Sequence, residues 1–211
     1  MLNERRLRSA VATLVLLTTV AVLSGCGDRG PSAAEQAAAA AREAERVADE
    51  KAREERKVRV EAERLAVLWR YQEATVGGGR QVTASILSID NLDTDGKGAK
   101  PVQLVFRDHA SWGRSSYLVL QAGDFDCAPR CVVNVTVDEL APEKMAARRP
   151  KTDEAIAMFI NDAAALWRLT SGGRRISVEF PVKAGGTRTA SFDVAGLDET
   201  KMPGGVPALT R

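Results

Sequence analysis

Cys127 and Cys131 enclose Ala128-Pro129-Arg130, and two thiols so placed can either exchange electrons or staple a loop. A redox pair is usually Cys-x-x-Cys opening a helix, whose N-terminus stabilises the thiolate. Here the spacer is longer, contains Pro129, and leads into the alternation Cys131, Val133, Val135, Val137 of a strand. The expected role is a disulfide, worth only ~2–3 kcal/mol because the enclosed loop is small. Asn91, Asp93, Asp95 and Gly96 have the residue types that open a calcium loop, but the bidentate acid that closes such a loop would fall on Val102, an expected strand residue. A polar hairpin loop is the expectation there. His109 is the sole histidine and lies near Asp108 and Ser111. Neighbours in a loop do not form a triad by sequence proximity, and one histidine excludes a His-rich zinc site. Arg148, Arg149 and Lys151, with Arg174 and Arg175, are basic clusters that could meet phosphates or peptidoglycan carboxylates; a solvated surface is the favoured reading. No glycine-rich phosphate loop opens a helix in the right context. We assign no catalytic residue, no cofactor site and no metal ligand, and expect a protein that is not an enzyme.

The third cysteine, Cys26, has different surroundings. Arg5, Arg6 and Arg8 precede an uncharged stretch from Ala10 to Leu23 rich in Val, Leu, Ala and Thr, followed by small Ser24 and Gly25. The apolar stretch is short for a membrane span of about 20 residues and suits the h-region of a signal peptide. The competing reading is a short transmembrane anchor with an incidental Cys26. Leu23-Ser24-Gly25-Cys26 resembles the lipobox of bacterial lipoproteins. That resemblance implies removal of residues 1–25, diacylation of Cys26 through its sulfur, and usually acylation of the new N-terminus. Several acyl chains anchor stably where one does so only marginally. Gly27 directly after Cys26, with Asp28 one later, favours the outer membrane over the inner. The expected place is the cell envelope, facing the periplasm, where an isolated cysteine pair is oxidised.

The formal net charge is +2, part of it in the signal segment. A near-neutral remainder gives no support for nucleic-acid binding. Residues 26–32 read as a lipid-anchored linker, 33–76 as a charged helical stalk, 80–197 as a globular domain and 198–211 as a flexible tail. Ser32 and Glu35 match a capping box. Ala, Glu, Arg and Lys dominate thereafter, with high helix propensity. Asp49 with Arg53, Glu55 with Arg59, Glu43 with Arg46 and Glu61 with Arg64 stand acid-first at helical spacing, each worth about 0.2–0.5 kcal/mol. A helix of this length could reach roughly 60 Å. The stripe Ala37, Ala41, Ala44, Ala48, Val58, Ala62, Leu65, Trp69 is broken by Lys51, Glu54 and Glu55. Without sustained Leu or Ile heptads, a solvated single helix is favoured over a coiled coil, and the oligomeric state stays open. Leu65, Leu68, Trp69 and Val76 suggest that the last turns dock on the domain that follows.

Gly77-Gly78-Gly79 ends the helical pattern. Strands are then expected where Val82, Ala84 and Ile86 alternate with Thr83, Ser85 and Leu87, at Val102–Phe106, at Ser116–Gln121 and from Cys131 to Val137. One helix is expected with Thr152 or Asp153 as its cap and Ile156, Phe159, Ile160, Ala163, Leu166 and Trp167 as its apolar face. Ser171-Gly172-Gly173 would end it. A hairpin pairing Ile176, Val178, Phe180 and Val182 with Ala190, Phe192 and Val194 closes the domain. The fold class is α+β: a long N-terminal helix followed by an antiparallel β-sheet domain with one packed helix.

Phe125-Asp126-Cys127, Cys131, Val133, Val135, Val137 and Asp138, with Trp69, Tyr71, Leu104-Val105-Phe106-Arg107, Phe159 and Phe192 to Leu197, resemble a family of uncharacterised proteobacterial lipoproteins. The likeness covers about Trp69 to Leu197 and departs at Asp124, where that family tends to have Gln. It implies a fold but no known activity. The function expected is a lipid-anchored envelope protein presenting a binding domain to a protein partner. The alternative is a periplasmic inhibitor or immunity lipoprotein acting on a toxin or hydrolase.

Overall fold

A computed structural model describes residues 30–150 and 156–202. Cys26 with the signal and linker up to residue 29, the expected caps Thr152 and Asp153, and tail residues 203–211 lie outside the described residues. The chain divides into two compact units, Met1–Asp49 and Glu50–Arg211.

Helix α1 spans Ala33–Ala66 and buries none of its residues. Its start is the expected capping box: Ser32 N–H donates to Glu35 Oε2 at 2.7 Å, and Glu35 N–H to Ser32 Oγ at 3.3 Å. Ser32 N–H, and its hydroxyl at 2.9 Å, donate to Glu35 Oε2 and hold that carboxyl below its ordinary range. In the first unit Arg46 meets Glu43 at 2.8 Å; in the second, Arg64 meets Glu61 at 2.8 Å. The other two helix pairs differ from those expected: Lys51 takes Glu55 and Lys57 takes Glu54. A helix with no buried face is carried by propensity and such exposed pairs. Among the described residues no helix is long and apolar enough to cross a membrane.

The helix stops at Ala66, short of the expected residue 76. Arg70–Val76 is instead strand β1, paired antiparallel with β2 (Gly79–Asp93) from Arg70↔Ser85 to Val76↔Gly79. Gly77 and Gly78, at φ of 54° and 78°, form the turn, a backbone conformation that glycine adopts without penalty. The triple glycine is thus a hairpin turn within the sheet. Leu68 and Trp69 do pack on the core, as the sequence suggested, while Val76 remains exposed.

The chain continues through β3 (Ala99–His109), β4 (Gly113–Val119), β5 (Cys131–Val137), β6 (Glu143–Arg148), β7 (Ala157–Ile160), α2 (Ala163–Gly172), β8 (Arg175–Pro181) and β9 (Thr187–Asp193). The nine strands form one antiparallel sheet in the order β1-β2-β3-β4-β7-β6-β5-β8-β9. The protein is therefore α+β, with a long N-terminal helix before the sheet. β8 and β9 form the expected hairpin, in a register that joins Ile176 to Phe192 and Val178 to Ala190, while Val182 bridges to Phe125.

The expected position of the second helix needs correction. Ala157–Ile160 is a strand, and α2 begins only at Ala163, capped by Asp162, whose Oδ1 accepts from Ala165 N–H at 2.8 Å. Ile156 and Ile160 fit both a helical and an alternating period, and pairing decides between them. β4 has a free side, which Ser116↔Ile160 and Leu118↔Met158 occupy. Helix α2 then carries the chain past β6 and β5 to β8. It buries Leu166, Trp167 and Thr170 and ends at Gly172, with Gly173 as its C-cap.

Residues of alternate parity fill one side of the sheet: Val82, Ala84, Ile86, Leu104, Phe106, Leu118, Val133, Val135, Met158, Ile160, Ile176, Val178, Phe180 and Phe192 are all buried in one cluster. Phe106 meets Trp69 at 6.3 Å and Trp167 edge-on at 5.1 Å. β2 and β9 approach each other without pairing, so the sheet curls around this cluster. Tail residues 198–202 are held down. Tyr71 Oη accepts the Asp198 N–H at 2.7 Å, Lys201 lies over the Tyr71 ring, and Met202 is buried.

Candidate functional site

The residues singled out for chemistry fall into structural roles. Cys127 and Cys131 are joined by a disulfide, Cα to Cα 4.9 Å. Cys127 is buried, and the Cys131 sulfur lies 3.6 Å from Met158 Sδ. The bridge fastens the loop before β5 to the core. Asp93 and Asp95 sit in the turn between β2 and β3, where their carboxylates accept backbone N–H groups: Asp93 Oδ1 from Gly96 at 2.6 Å and Asp95 Oδ1 from Lys97 at 2.9 Å. Among the described residues, no group of three His, Cys, Asp or Glu is gathered as metal ligands would be.

His109 is fully buried at the end of β3. Its Nδ1 accepts from the N–H groups of Ser111 and Trp112 at 3.0 and 3.1 Å, so the proton sits on Nε2 and is donated to the Val76 carbonyl at 2.8 Å. The imidazole thereby ties the β1–β2 turn to the β3–β4 turn. The Trp112 ring stacks on it at 3.8 Å and 9°. Both rings need glycine beneath them. A Cβ at Gly79 would lie 2.7 Å from His109 Cε1, and one at Gly77 would lie 2.8 Å from the Trp112 ring.

The basic clusters separate. Arg149 is half-buried, 3.0 Å from Asp124 Oδ1 and donating to the Ala157 carbonyl. Arg175 pairs with Asp193 at 3.0 Å, and Asp138 Oδ1 accepts the backbone N–H groups of Arg174 and Arg175. Lys151 lies outside the described residues.

Arg148 belongs elsewhere. On the outer face of the sheet, cross-strand pairing sets Val105, Tyr117, Phe159 and Arg148 in one row across β3, β4, β7 and β6. Alternation puts these side chains opposite the buried cluster. Tyr117 and Phe159 meet at 4.9 Å. The guanidinium of Arg107, one pair along β3, lies 5.5, 5.7 and 5.8 Å from the ring centres of Trp112, Tyr117 and Phe159. Arg148 covers Phe159 at 5.3 Å. Arg107 Nε donates to Ser115 Oγ at 3.0 Å. Among the described residues neither Arg107 nor Arg148 joins an ion pair, and Trp112 is 55% exposed. Burial among these neighbours raises the Tyr117 hydroxyl above its ordinary range, against the opposing charge of Arg107. This is a ridge of three rings and two cations on the outer face of the sheet.

Sequence reasoning missed this ridge. Its members come from four strands and the β3–β4 turn, and two of those strands, β6 and β7, were not foreseen. The available signal was parity. Tyr117 and Phe159 sit at outward positions between buried Leu118 and Ser116, and between Met158 and Ile160.

Two grooves flank Arg64 in the second unit. One, of about 380 Å³, is lined by Val67, Leu68, Arg70, Leu87, Ile89 and Asp193. The other, of about 680 Å³, is lined by Glu61, Asp138, Glu139, Arg174 and Arg175 among others. Their charges are largely matched internally, as in the Arg64–Asp193 pair at 3.3 Å. No protein-family model, curated protein or solved structure matches the chain.

Proposed function

We propose that this chain is a lipid-anchored protein of the bacterial envelope, acylated at Cys26 and not an enzyme, whose β-rich domain binds a protein partner through the outer-face ridge. The lipid reading rests on the lipobox resemblance and on the disulfide, which suits an oxidising compartment. The charged helix is the spacer between anchor and domain. The likeness to uncharacterised proteobacterial lipoproteins agrees with this plan.

One observation supports the binding reading above the rest: exposed Trp112 beside Tyr117, Phe159, Arg107 and Arg148. Tryptophan, tyrosine and arginine dominate the energetic centres of protein interfaces, and aromatic and arginine enrichment marks interface surface.

The test is site-specific photo-crosslinking in cells of the native, lipid-bearing chain. A crosslinker replacing Ser111, beside the ridge, should give a discrete adduct. One replacing Thr189 on β9 should not. Equal adducts from both positions, or none from either, would defeat the proposal. Incorporation of labelled fatty acid, lost in Cys26→Ser, tests the anchor separately.

A further inference from the structure

We infer that the ridge is a carboxylate-binding site, and that the segment it takes from a protein partner is an acidic peptide. This rests on the protein-partner reading above and adds the chemistry of the occupant.

A guanidinium held near ring faces by its charge keeps N–H groups available for other partners. Arg107 spends Nε on Ser115, which leaves its two terminal nitrogens. Arg148 spends none of its N–H groups on another side chain among the described residues. Both guanidiniums converge on one ring, 5.8 and 5.3 Å from the centre of Phe159. Two guanidiniums beside a shared aromatic ring offer paired N–H groups of the kind that carboxylates accept from.

Among the described residues, the acids beside them in sequence or through Arg149 are engaged elsewhere. Asp108 pairs with Arg114 at 3.5 Å, and Asp124 is shared between Arg149 at 3.0 Å and Lys183 at 2.7 Å. Among the described residues no acid pairs with either cation, which favours a carboxylate supplied by another molecule. The apolar surroundings of Val105, Tyr117 and Phe159 strengthen an ion pair formed against them relative to one in open water.

The position of these cations near the ring faces argues for a peptide over an anionic glycan. Sugars bind by laying a ring on an open aromatic face, and here guanidiniums cover Tyr117 and Phe159. Trp112 offers one face at most, since His109 occupies the other. What remains open is guanidinium edge and ring edge, which suit acidic side chains with an apolar residue between them.

The test uses the full chain with hexaglutamate as probe. The readout is NMR signals from the Arg Nε–H groups and the Trp112 indole. Hexaglutamate should shift Arg107, Arg148 and Trp112 together, and hexaglutamine of equal length should shift none of them. Arg148→Gln, at an exposed position, should weaken binding about tenfold. Arg148→Lys should recover only part, because charge returns without the fork. Failure of hexaglutamate to shift these signals overturns the inference, as does unchanged affinity in Arg148→Gln. Tighter binding of polygalacturonate or of phosphatidylglycerol vesicles at the same signals overturns it too, in favour of a glycan or a lipid headgroup. A ridge that crosslinks a protein yet ignores hexaglutamate sinks this inference alone, whereas loss of the crosslink removes the reading beneath it.

Discussion

The indole Nε1 of Trp69 donates to the Val194 carbonyl oxygen at 3.3 Å, joining the residue before the first strand to the residue after the last. Around this bond Arg64 meets Asp193, and Gly196 packs directly on the backbone of Leu65 with no room for a Cβ. Trp69 also leans on Phe106, so one side chain clasps the two ends of the curled sheet and fills its core. Trp69→Phe keeps most of the packing and drops the bond; we expect a loss of about 1 kcal/mol. Trp69→Ala should cost about 3–5 kcal/mol. Urea unfolding measures both. A Trp69→Phe protein with the wild-type midpoint would show that the bond contributes nothing.

His109 and Gly79 should be energetically coupled. Gly79 is not at a positive φ, so an alanine there is opposed only by the imidazole 2.7 Å from its Cβ. Gly79→Ala should destabilise by about 1–3 kcal/mol. His109→Ala leaves the Val76 carbonyl and two turn N–H groups without their partner, and should cost at least about 2 kcal/mol. In the double variant the clash is gone, so the effects should fall short of additive by about 1 kcal/mol or more. Strict additivity in a double-mutant cycle would contradict the packing described.

Replacing Cys127 and Cys131 together by Ser should lower stability by about 2 kcal/mol, since the loop closed is short. The fold should persist, because β5 keeps its pairing with β6 and β8. Calorimetry of the oxidised chain, the reduced chain and the double variant checks this. If reduction abolishes the transition, the bridge is a condition of folding and not an increment to it.

The Asp93 carboxyl is held below its ordinary range, chiefly by the Gly96 N–H and further by that of Asp95. Its folded pKa lies below its unfolded one. The stabilisation is therefore complete above the unfolded value and is lost as pH falls through the folded value. Carbon-detected NMR titration should place Asp93 on the acid side of an ordinary aspartate, and Asp93→Asn should flatten the acid limb of the stability profile. A midpoint at or above the ordinary value would contradict the turn geometry.

Legibility in the sequence followed burial. β2, β3, β4, β5, β8 and β9 were readable because each alternates a buried and a less buried row, as Ile176, Val178 and Phe180 do against Ser177 and Glu179. β1 was hidden because it has no buried row at all. Only backbone pairing to β2 makes it a strand, and its propensities suit the end of a charged helix equally well. β6 shows just Met145 and Ala147 to the interior. β7 is four residues long, too short for a period to declare itself.

Amino-acid order alone settled what depends on neighbours along the chain. It set the capped charged helix, the alternating strands, the β8–β9 hairpin, the close cysteine pair and the glycine turns, because capping, period and loop closure act over a few residues. Long-range pairing settled the rest. Ala157–Ile160 became a strand because β4 had a side to fill. His109 became a bolt because the Val76 carbonyl and the Gly79 gap lie across the sheet from it. Arg107, Trp112, Tyr117, Phe159 and Arg148 became a surface because four strands were laid side by side in register. Those contacts join residues far apart in sequence, so no local pattern encodes them.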